Sequence, residues 1–190
     1  MNLDIDRCIS ELNHTISVAR YNYEIWHIYT SEDTRPAYVK TMNRYSLFFQ
    51  TSLHAHFVAS LVALYRLYET RRDTFNVPSL LKALQNEQRL SCDTLEVLGG
   101  IYRDEVKPLW IKVNILRNKA FAHRSSDCSV NEVFREAEVT PHELRSLMEA
   151  TEKLLAQLMY AWNTTVRVSN LSPREATFRL LNDLKGLSES

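Results

Sequence analysis

LDIDRCISELNHTISVARYNYEIWHIYT, residues 3–30, is the stretch on which the fold turns. Its apolar positions Ile5, Ile9, Leu12, Ile16, Ala19, Tyr23 and Trp26 step by four and three without a miss. That is the stripe of a long amphipathic helix, and a strict seven-residue repeat lets such a stripe follow a partner helix for several turns, as in a bundle. Nothing later in the chain argues for a sheet. Three glycines and five prolines in 190 residues are too few for the turn density of an all-β sandwich, and no stretch alternates apolar and polar residues between turns. The expectation is an all-α, single-domain bundle of long antiparallel helices over residues 1–190, with the last few residues frayed.

Outward from the first helix, SEDTRP at 31–36 breaks the pattern, with Thr34 as a plausible N-cap and Pro36 in the first turn of a second helix reaching Arg71. The half LHAHFVASLVALYRLY, residues 53–68, is apolar on nearly every side, so this helix should be central and covered from several directions. His54, His56 and Arg66, and a run short of the roughly 20 residues a bilayer needs, argue against a membrane span. Pro78 opens a short helix with leucines at 80, 81 and 84. A third long helix starts near Ser91 or Asp93, with a kink expected at Gly99-Gly100 or Pro108. Thr140-Pro141-His142-Glu143 is a helix start signal, followed by the stripe Leu144, Met148, Thr151, Leu155, Leu158 and Trp162. A last helix spans about Pro173 to Leu184.

Lys plus Arg and Asp plus Glu each number 23, so attraction for nucleic acid must come from a local patch. MNLDIDRCIS carries no leader pattern, and the expectation is a soluble, cytoplasmic protein without a membrane partner. Cys8, Cys92 and Cys128 are odd in number and widely spaced, which suggests neither a disulfide framework nor a zinc knuckle. Glu24 and His27 form one Glu-x-x-His step, the spacing of di-iron bundles, but no second copy follows, so a helix–helix or surface hydrogen bond is the better reading. His54 and His56 lie two apart on a helix, about 200° around it, and cannot chelate one ion together.

The chemistry concentrates in LWIKVNILRNKAFAHR, residues 109–124. Leu109, Val113, Leu116 and Ala120 would face a core, leaving Arg117, Asn118 and His123 as polar exceptions near the helix end, since RSSDCS carries no apolar period. From Arg103 to Arg124 six basic residues stand against two acidic ones, a net of +4, whereas Ser125 to Lys153 holds seven acids and three bases, a net of −4. The positive charge gathers around the histidine, where a phosphodiester would need it. Cations near a helix C-terminus also complement the macrodipole.

The segment RNKAFAH resembles the Arg-polar-x4-His signature of the HEPN superfamily. The longer RNKAFAHRSSD, with the acidic stretch and the TPHELRSLMEATEKLL helix behind it, is similar to the branch associated with bacterial abortive-infection, or phage-defence, proteins. The resemblance implies a helical bundle that dimerises along the motif helices and acts as a metal-independent endoribonuclease, with an antitoxin or defence-system protein as its partner. Its subgroup paired with nucleotidyltransferase antitoxins has Tyr two positions after the His, where this chain has Ser125.

Imidazole exchanges protons near neutral pH, and guanidinium stays charged while offering a fork of donors to phosphate oxygens. His123 is therefore expected as general acid or base and Arg117 as the phosphate clamp, with Asn118 hydrogen-bonding the imidazole or the backbone to fix the ring's orientation, and Lys112, Lys119 and Arg124 contacting RNA. RNA carries its own nucleophile, the 2′-OH, so no metal or other cofactor is expected, and no carboxylate cluster flanks the motif for two-metal hydrolysis. The rival reading is a non-catalytic helical dimer, or a nucleotide-binding module, in which Arg117 and His123 only hold structure. On one straight helix Arg117 and His123 lie six positions apart, about 240° around the axis and roughly 9 Å along it, so a shared cleft in a two-fold dimer would suit both.

Overall fold

The computed structural model describes residues 4–71, 74–86, 89–122, 135, 138–166 and 172–189. Asp4 opens α1 (Ile5–Thr30) by accepting from the Arg7 backbone N at 3.0 Å, and Ser31, in extended backbone, closes it. All seven stripe residues from Ile5 to Trp26 are buried, so the heptad seam is consumed inside the bundle. Thr34 does not cap a long helix. Its hydroxyl turns back to the Ile28 carbonyl at 2.7 Å, and only a 3-10 turn, Arg35–Ala37, follows.

The expected second helix is two helices, α2 (Val39–Arg44) and α3 (Ser46–Tyr68), parted at Tyr45 with φ −112° and ψ 41°. No glycine or proline marks that break. Tyr45 packs on a small separate core of Ile28, Tyr29, Met42, Phe49 and Leu181, which the turn at Tyr45 lets α2 help close. α3 runs antiparallel to α1: Trp26 meets Phe57, the His56 ring hydrogen-bonds Asn22 at 2.8 Å, and Ser60 donates to the Ala19 carbonyl at 3.1 Å.

α4 (Val77–Asn86) starts at Asn76, whose buried side chain accepts from Ser79 N at 2.8 Å and donates to the Arg71 and Thr74 carbonyls. α5 (Cys92–Gly100) starts at Ser91, which accepts from Thr94 N. Where a kink was expected, the chain widens into a π-helical segment, Ile101–Val106, and continues as α6 (Lys107–Ala122). The Lys107 N–H reaches back five residues to the Tyr102 carbonyl, so the wide turn falls directly ahead of Pro108, which has no N–H to give.

α7 (Pro141–Trp162) carries the full capping box: Glu143 N donates to the Thr140 hydroxyl at 3.1 Å, and Thr140 N donates to the Glu143 carboxylate at 2.8 Å. The whole stripe from Leu144 to Trp162 is buried. Asn163 ends α7 in the left-handed region at φ 55°, a conformation Asn tolerates. The last helix, α8 (Pro173–Glu189), runs past Leu184 into the tail expected to fray. Among the described residues there is no strand.

The main core joins α1, α3, α4, α5, the π-helical segment, α6 and α7. α3 departs from expectation here. Its inner side is buried, but its outer side is open: Leu47 is 78% and Phe48 56% exposed, with Ala55 and Val62 also exposed. At 23 residues it is shorter than the helix expected from Pro36 to Arg71, yet it is the one described helix long and apolar enough to cross a membrane.

Candidate active site at the end of the motif helix

α6 lies between α3 and α7, with Val113 and Leu116 fully buried and Leu109 and Trp110 packed against the core. This fixes the rotation of the helix. Arg117, next in register to Leu116, is half-buried on the side facing α3, and Asn118 is exposed. The Arg117 guanidinium lies over the Tyr65 ring, 4.3 Å from its centroid, and Nη1 donates to Asn118 Oδ1 at 3.0 Å. Tyr65 in turn packs on Trp110, with centroids 5.7 Å apart, and Trp110 on Tyr68 at 5.2 Å.

Tyr68 anchors that column. Its hydroxyl bonds Thr151 Oγ1 on α7, and Thr151 spends its own proton on the Leu147 carbonyl at 2.6 Å, so Tyr68 is the donor. Burial raises the Tyr68 phenol well above its ordinary range and keeps it neutral.

Of the expected substrate contacts, Lys112 is turned away from Arg117 towards α7, where Nζ meets Glu143 Oε1 at 2.5 Å. Glu143 is thereby shared between a helix cap and an ion pair, and the Lys112 hydrogen bond, with those from Thr140, holds its carboxyl below the usual carboxylate range. Lys119 lies on α6, but its side chain, with those of Ala120, Phe121 and Ala122, is outside the described set. His123 and Arg124 lie outside the described residues, His123 directly after the last residue of α6.

The other candidates stay apart. Glu24 faces Arg174 at 3.9 Å rather than forming a ligand pair with His27, whose buried Nδ1 has no hydrogen-bond partner among the described residues. Burial and then the Arg145 guanidinium lower the His27 pKa. His56 faces α1 and His54 is exposed, as their spacing required. Among the described residues no three His, Cys, Asp or Glu side chains are placed to hold a metal ion. Cys8 is buried, its thiol pushed up to about 12 by desolvation; Cys92 is exposed, and Cys128 lies outside the described residues.

The family model HEPN_AbiU2, described as AbiU2, matches residues 3–177. The chain belongs to the AbiU2 family of HEPN proteins. The match is wider than the motif region and takes in α1 through the first turn of α8, so the family is carried by the bundle and not by the motif alone. This AbiU2 chain is thus an abortive-infection-type HEPN protein with an all-α fold. No curated protein and no solved structure shows significant similarity to it. The sequence of the AbiU2 chain did not single out Tyr65 or Trp110, and it marked Glu143 only as a cap residue, not as the partner of Lys112. The first two looked like ordinary core aromatics, and only Glu143 had a local signal, as the third residue of a capping box.

Proposed function

We propose that this protein is a metal-independent endoribonuclease of abortive infection, in which His123 moves protons and Arg117 stabilises the phosphate. The observation that carries the reading is Arg117 itself, held in place on Tyr65 at the C-terminal end of α6, six residues before His123. The 2′-OH attacks the adjacent phosphorus as its proton passes to a base; the P–O5′ bond breaks and the leaving oxygen takes a proton. Products are a 2′,3′-cyclic phosphate and a 5′-OH, with no water or metal consumed. Charge growing on the phosphate oxygens is what a guanidinium fork stabilises. Asn118 accepts from Arg117 Nη1 and so orients it, while Lys119 and Arg124 add positive charge for RNA.

The reading includes a two-fold homodimer with both motifs at one cleft. It is supported by the apolar outer side of α3 and by Ile111 and Ile115, exposed on one face of α6.

Incubating purified protein with a structured RNA in EDTA, beside His123→Ala and Arg117→Ala, tests the reading. Cleavage by the parent protein ending in cyclic phosphate, and its loss in both variants, is expected. An inert parent protein, or one that needs Mg²⁺ or Mn²⁺, would leave the motif to a non-catalytic helical dimer.

A further inference from the structure

Arg117 is a long side chain on an α-helix, yet its guanidinium does not sit in bulk water. Its Cζ lies over the Tyr65 ring, 4.3 Å from the centroid, and Tyr65 is not loose on the surface. The tyrosine is tilted 50° against Trp110, Trp110 is tilted 37° against Tyr68, and Tyr68 is buried and tied through Thr151 to the Leu147 carbonyl. Three aromatic rings from α3 and α6 therefore link α7 to the guanidinium. A guanidinium bonds phosphate oxygens through its in-plane N–H groups and not through its face, and Nε of Arg117 is buried. One in-plane donor, Nη1, already goes to Asn118.

We infer that Tyr65 is a positioning residue of the reaction, a platform that fixes the Arg117 fork before RNA arrives. The inference rests on the ribonuclease reading. It separates two features of Tyr65: the ring face supports Arg117, whereas the phenolic hydroxyl has no part. Preorganised donors stabilise a transition state without rearranging at the moment of reaction, so removing the platform acts on kcat more than on KM.

The test compares Tyr65→Phe with Tyr65→Leu on a short single-stranded RNA, together with the NMR resonance of Arg117 Nε–H, which a ring beneath the guanidinium shifts upfield. Tyr65→Phe is expected to keep the shifted resonance and kcat within twofold. Tyr65→Leu should move the resonance to the ordinary arginine position and lower kcat by about 10- to 100-fold, with KM changed less than threefold and helical content unchanged. Cleavage by Tyr65→Leu at the parent rate overturns the inference alone. An unshifted Arg117 resonance in the parent protein overturns the platform geometry. A parent protein with the shifted resonance but no cleavage overturns the ribonuclease reading, and the positioning role with it.

Discussion

Glu143 shows how much one side chain can hold. Its carboxylate accepts from the Thr140 backbone, closing the start of α7, and from Lys112, tying α6 to that start. Thr140→Ala removes only the reciprocal cap and is expected to cost about 1 kcal/mol in denaturant unfolding, whereas Glu143→Ala loses cap and ion pair and should cost more. The folded pKa of Glu143 is depressed, so its contribution is present above the unfolded value, about 4.3, and is lost as pH falls through the folded value. Stability differences between parent and Glu143→Ala should therefore shrink below pH 4. Arg117→Ala should also cost about 1 kcal/mol, because the guanidinium leaves the Tyr65 face. The cap was readable in the sequence since its partners sit three residues apart. The Arg117–Tyr65 pair was not, since its partners are brought together only by the packing of α6 on α3.

At the scale of elements, periodic stripes were legible and interruptions were not. α1 and α7 follow their stripes residue by residue because a buried face imposes the helical period on the sequence. The break at Tyr45 has no local breaker; it depends on the small core that α8 completes through Leu181. The widening at Ile101–Val106 was foreseen as a kink, but the chain solves the missing Pro108 N–H with longer-reaching bonds and stays helical. α1, α7 and α8 also bring together His27, Arg145 and Arg174, with Glu24 and Asp33 opposing them. His27 is kept neutral by burial and then by Arg145, so its folded pKa lies below the unfolded value of about 6.5. The unfolded chain binds the extra proton, and stability falls as pH drops through the window beneath 6.5. Melting temperatures at pH 7.5 and 5.0 should show a smaller acid-induced loss in His27→Gln than in the parent protein; equal losses would exclude His27 as a source.

For the whole molecule, the sequence could say that apolar surface was in surplus but not where it would remain. Two helices were candidates, and the fold absorbs the surplus of α1 completely while leaving the outer side of α3 open. That outcome depends on which helices flank each other, which periodicity does not encode. If two copies met with α6 of each at the seam, their Arg117 side chains would come near one another, and a two-fold axis would carry Arg117 of each copy towards His123 of the other. Each cleft would then be built from two chains. Co-expressing Arg117→Ala with His123→Ala chains under different tags, and purifying on both tags, isolates the mixed dimer. One of its two clefts would contain both substitutions and the other neither, so about half of the parent rate per dimer is expected although each variant alone is inert. If both residues of a cleft came from the same chain, every cleft in the mixed dimer would carry one substitution and no activity would return. A fully active species with the mass of a single chain would exclude the shared cleft from the other direction.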